Sequence, residues 1–128
     1  MTRLLETHNG DSSRRLSVRL LFSIDRAKSV EDAEDTLRLI RVLRSEYSVV
    51  IGIDFSGNPT KGQFSDFLGV LQRARDDGLK ITLHAAEVPE PEDLTDDCTE
   101  MSLMMKFRPD RFGHALHLRP NHIQVRPL

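Results

Sequence analysis

Three side chains in this 128-residue chain, His84, Glu87 and His114, have the types and spacing that acid–base chemistry needs. An imidazole shuttles protons or ligates a metal, and a carboxylic acid beside it protonates a ring nitrogen or a leaving group. A second imidazole orients or deprotonates a bound water. His84 and Glu87 lie at the end of the stretch Leu79 to Glu87, in which Leu79, Ile81 and Leu83 alternate with Lys80, Thr82 and His84. That alternation predicts a strand. In a straight strand His84 and Glu87 would point to opposite faces. For both to reach one substrate, the backbone has to leave strand geometry at about Ala85 or Ala86, which puts the pair at a strand's carboxyl end. In α/β proteins ligands bind there. His-x-x-Glu is a short motif, and two hydrogen-bonded loop histidines beside a solvated carboxylate satisfy the same spacing.

The elements that must position these groups follow from periodicity. Val18 to Ile24 and Val49 to Ile53 are dense aliphatic runs, as strands covered on both faces are. Between them, Ser29 is an N-cap, and Ala33, Leu37, Ile40 and Leu43 form a helical stripe, with acids early and arginines late. Asp54 to Pro59 reads as a strand-to-helix turn, with Gly57 free to take positive φ or to let a ligand approach the backbone. A second helix spans about Lys61 to Asp76 with Phe64, Phe67, Leu68, Leu71 and Ala74 inward and Gly78 closing it. An acidic, proline-bearing loop from Val88 to Cys98 overhangs the His84 end. A short third helix carries Met101, Met104 and Met105 as core, with Cys98 as a small buried group. Pro109-Asp110 turns the chain into a fourth strand ending near His114. Asp25-Arg26 reads as an opposite-charge pair at a loop. Residues 1–15, around Asn9-Gly10-Asp11, read as a loose N-terminal segment, and 16–118 as one unit of successive βα repeats. In the tail, 119–128, Pro120 and Pro127 argue against a helix.

Composition narrows the function classes. Apolar residues at 38% and charged residues at 30% describe a globular domain, and the net charge of −2 gives no footing for a nucleic acid polymer or an anionic membrane. No stretch approaches the roughly 18 apolar residues of a membrane span. The single cysteine excludes an internal disulfide and suits a reducing, cytoplasmic setting.

Three segments, in order, carry a resemblance: Val50-Ile51-Gly52-Ile53-Asp54-Phe55-Ser56-Gly57, Leu83-His84-Ala85-Ala86-Glu87 and Asp110-Arg111-Phe112-Gly113-His114. Together they resemble the central segments of the adenosine/AMP deaminase family. Ser56-Gly57-Asn58-Pro59-Thr60 and Pro109-Asp110-Arg111 are most similar to the branch that removes an alkylamino group from N6-methyl-AMP. The resemblance implies a partial (β/α)₈ TIM barrel, strands three to six, and a hydrolytic reaction giving IMP and methylamine. It implies a purine nucleoside monophosphate, or the nucleoside, as partner. It also implies zinc as cofactor with His84 as ligand, Glu87 as the acid at the purine ring nitrogen, and His114 as the group that helps activate water. Gly57, with Asp54 and Ser56 beside it, is implied at the substrate.

The chain also departs from that pattern. The family's first-strand His-x-His pair has no counterpart before Leu16, where His8 stands alone, and no aspartate from an eighth strand follows. Ala86 stands where the family's common motif has glycine or a small residue, a mild change, and Ala115 replaces a frequent glycine. A closed barrel needs roughly 250 residues, about twice this chain. These departures predict a shortened product without a complete metal site. It would be inactive, or a binding or interaction module able to self-associate through open sheet edges.

Overall fold

The structure is a computed structural model describing residues 15–90 and 99–122. The expectations for the N-terminal segment, for Cys98 and for the end of the tail lie outside the described residues. Four strands, β1 (Leu20–Asp25), β2 (Val50–Ser56), β3 (Lys80–Ala85) and β4 (Arg111–His114), form one parallel sheet in the order β1-β2-β3-β4. Three helices connect them: α1 (Val30–Arg44), α2 (Phe64–Asp76) and α3 (Glu100–Phe107). Right-handed crossovers that always step the same way keep the helices on one face of the sheet, the pattern of a barrel rather than of a doubly wound sheet. The fold is therefore a partial α/β, TIM-like barrel.

Local chemistry explains each helix. Ser29 Oγ accepts from the Asp32 N–H at 3.1 Å to start α1, and Thr99 does the same for Ser102 at the start of α3. Gly78, at φ 88°, lets the chain leave α2 for β3. The core lies between helices and sheet. Ile53, Phe55, Ile81 and Leu83 pack against Leu37, Ile40, Phe67, Leu71 and Met104, all buried. The opposite face is more polar, because Ser23, Asp54, Thr82 and Arg111 fall in one register row across it.

The expected element boundaries differ from the observed ones in three places. β2 runs on to Ser56 rather than turning after Ile53, since Asp54 and Phe55 still pair with Thr82 and Leu83. α2 starts at Phe64, after a turn in which Gly62 takes φ 63°. The tail, expected to be non-helical, holds one 3-10 turn at Pro120–His122.

Candidate functional site

β3 ends where its backbone kinks. Ala85 is the last strand residue and Ala86 has φ 50°, a left-handed value that costs an alanine energy and redirects the next side chains. Beyond the kink, the amides of Leu116 and His117 both donate to the Ala86 carbonyl, at 3.1 and 2.9 Å, tying the β3 and β4 ends together. As a result His84 and Glu87, from opposite strand parities, both line one cavity of about 450 Å³. Its other walls include Arg26, Glu90, Glu100, Met101 and Met104. The two methionines are buried core and cavity wall at once.

His114 enters from the neighbouring strand. Its ring centroid is 5.0 Å from that of His84, edge to face, and its Nε2 is 3.6 Å from Glu87 Oε2. It is not among the residues that line the cavity. Asp54, one strand the other way, places Oδ1 3.0 Å from His84 Nε2. That oxygen is buried and has no directed hydrogen-bond donor, so the contact is close without being a well-aligned bond. Ser56 and Gly57 are not on the cavity wall. Gly57, at φ 108°, closes against Asp25, whose Oδ1 would lie 2.4 Å from a β-carbon at that position.

The zinc expectation is corrected by this geometry. Among the described residues, no group of three or more histidine, cysteine, aspartate or glutamate side chains is placed to hold a metal ion. A catalytic zinc takes three protein ligands, whereas His84 turns its Nε2 toward Asp54 and Glu87 faces His114. The donor set present does not fit the metal.

The sequence reading missed the group that braces the cavity. Arg26 is 4% exposed and, against the expected opposite-charge pair, does not pair with Asp25, which instead accepts from the Ala27 amide at 2.9 Å. Arg26 forms a two-pronged ion pair with Glu100, and its Nε donates to the Lys61 carbonyl at 2.8 Å. Glu100 Oε1 also accepts from the Phe64 amide at 3.2 Å, capping α2 where Gln63 supplies no side-chain cap. The only sequence signal was an arginine directly after a strand end.

A one-sided parallel sheet with an imidazole and a carboxylate at its carboxyl rim defines part of an enzyme-type α/β barrel. The comparisons make that class specific. The adenosine deaminase family model matches residues 5–120, and the chain belongs to that family. It is 42% identical over 109 residues to the adenosine deaminase-like protein of Drosophila melanogaster, covering 84% of this chain and 30% of that protein. It is 44% identical over 107 residues to the N6-mAMP deaminase of Arabidopsis thaliana, covering 84% and 28%. The arabidopsis ADAL structure complexed with IMP superposes with a TM-score of 0.73 at 43% identity, covering 84% of this chain and 29% of that one. A structure of the same protein complexed with GMP gives 0.72. The chain thus spans under a third of the length of these relatives. No helix among the described residues is long and apolar enough to cross a membrane.

Proposed function

We propose that this chain is a purine-nucleotide binding module, built from the acid and imidazole portion of a deaminase site, that does not by itself convert N6-methyl-AMP to IMP and methylamine. One observation carries the reading: His84 and Glu87 wall a 450 Å³ cavity, of ligand-binding size, that lacks a metal-holding group among the described residues. The ligand class is taken from relatives named as N6-methyl-AMP deaminases and from neighbours solved with IMP and GMP. In this reading Glu87 meets the ring nitrogen N1, accepting from N1–H of a 6-oxopurine or, when protonated, donating to N1 of a 6-aminopurine. His114 holds the Glu87 carboxylate, and Asp54 sets the His84 ring. Ser56 and Gly57 shape the end of β2 behind them.

Calorimetry with IMP, GMP and inosine, alongside a methylamine-release assay on N6-methyl-AMP, tests this. Saturable IMP binding without methylamine release is expected, with Glu87→Gln weakening IMP roughly tenfold. Methylamine release by the wild type, or no binding of any purine, overturns the reading. A second reading, an interaction module, is favoured by the outer edges of β1 and β4, which pair with no further strand among the described residues, and by Leu16 and Leu116, which are 64% and 73% exposed near them.

A further inference from the structure

The turn after β4 grips the cavity lip. Arg119 Nη2 donates to the main-chain carbonyl of Glu90 at 3.0 Å, and the Arg119 amide donates to His122 Nδ1 at 3.1 Å. With Nδ1 accepting, the neutral His122 ring carries its proton on Nε2. That nitrogen faces Glu90 Oε2 at 3.9 Å, beyond hydrogen-bond reach. His122 is 5% exposed, and both facing atoms are buried and unpartnered. The other Glu90 oxygen accepts from the Met101 amide in the first turn of α3 at 2.8 Å. Glu90 is therefore held from α3 on one side and from the 119–122 turn on the other, and Glu90 and Met101 both line the cavity.

We infer that Arg119 and His122 are positioning residues for ligand binding, a clasp that sets the Val88–Glu90 lip through Glu90. Two buried polar atoms facing each other across 3.9 Å are costly apart. Moving the lip about 1 Å toward the turn would convert the gap into an Nε2–H···Oε2 bond, so the lip has a tighter position to which a bound ligand can draw it. His122 lies past residue 120, where the family match ends, so half of the clasp belongs to a stretch that the match does not cover. The ligand, though not the geometry, rests on the purine-binding reading.

Amide hydrogen exchange on the full chain, with and without IMP, tests the clasp. Arg119→Ala and His122→Ala are expected to speed exchange at the Met101 amide, which donates to Glu90 Oε1, roughly tenfold, with α1 unchanged, and to weaken IMP by a similar factor. His122→Gln, which keeps a donor and an acceptor, should restore both. IMP should slow exchange at Met101 in the wild type. Unchanged exchange at Met101 in the alanine variants overturns the clasp whether or not IMP binds. Faster exchange that extends to α1 overturns it too, as general loosening. A wild type that binds no IMP overturns the purine reading alone and leaves the Met101 amide to decide the clasp.

Discussion

Gly113 stands opposite His84 in the β3–β4 register, and a β-carbon there would lie 3.1 Å from His84 Cδ2. The absent side chain leaves the His84 ring its place between Asp54 and His114. Gly113→Ala is expected to push that ring by a few tenths of an ångström, open the 3.0 Å Asp54 contact and weaken IMP several-fold, at a stability cost of about 1 kcal/mol. Imidazole nitrogen shifts in NMR would report the ring displacement, and unshifted signals would remove Gly113 from the site. Glu100 makes a different residue-level prediction. Its partner Arg26 has a side chain only 5% exposed, so Glu100→Ala leaves a buried guanidinium unpaired and α2 uncapped. A loss of about 3 kcal/mol in urea unfolding is expected, while Glu100→Gln, which keeps the Phe64 acceptor, should lose less. The contrast shows which site features a sequence can display. His84 and Glu87 stood out because a strand's alternation ends on them. Arg26 and Glu100 are 74 residues apart, with nothing local to link them, and the Glu90–His122 approach likewise exists only once α3 and the tail have packed.

At the scale of elements, the rim is where backbone preference is overridden. Ala86, His114 and Ala115 have φ of 50°, 60° and 58°, where the family resemblance implies glycine or a small residue at 86 and a frequent glycine at 115. A left-handed alanine costs about 1 to 2 kcal/mol, part of which glycine would return as unfolded-chain entropy. Ala86→Gly and Ala115→Gly are each expected to raise stability by about 0.5 to 1 kcal/mol, and Ala86→Val to lower it by at least as much. Urea midpoints measure this, and a destabilised Ala86→Gly would show that the kink is held by packing rather than merely tolerated. Strand and helix identities were legible because each buried stripe keeps one period, 2 in Ile81 and Leu83, 3.6 in Ala33, Leu37 and Ile40. The end of β2 was not. Asp54 and Ser56 read as turn-formers, and only pairing with Thr82 and Asp25 holds them extended. The single turn at Pro120–His122 was hidden for a similar reason, since proline is tolerated at the first position of a helical turn.

For the whole molecule, the sheet order fixes what four strands can and cannot do. All three crossovers step in one direction, so the sheet curls as part of a barrel, and four strands cannot close one. Among the described residues the outer edges of β1 and β4 pair with no further strand, and Leu16 and Leu116 add exposed apolar area near them. The register row Ser23, Asp54, Thr82 and Arg111 puts polar groups on the face without helices, whereas an edge strand offers backbone groups on which a second copy can pair. If two copies meet edge to edge, sedimentation velocity over a dilution series should show a concentration-dependent dimer. Leu16→Lys with Leu116→Lys should shift it to monomer, since a charged edge resists strand pairing, while leaving the urea midpoint within about 0.5 kcal/mol. Because the nucleotide cavity lies at the strand ends among Arg26, His84, Glu87 and Glu90, the same double variant should bind IMP as the wild type does. A wild type that stays monomeric at every concentration would rule out pairing of the edges and leave ligand binding as the chain's function.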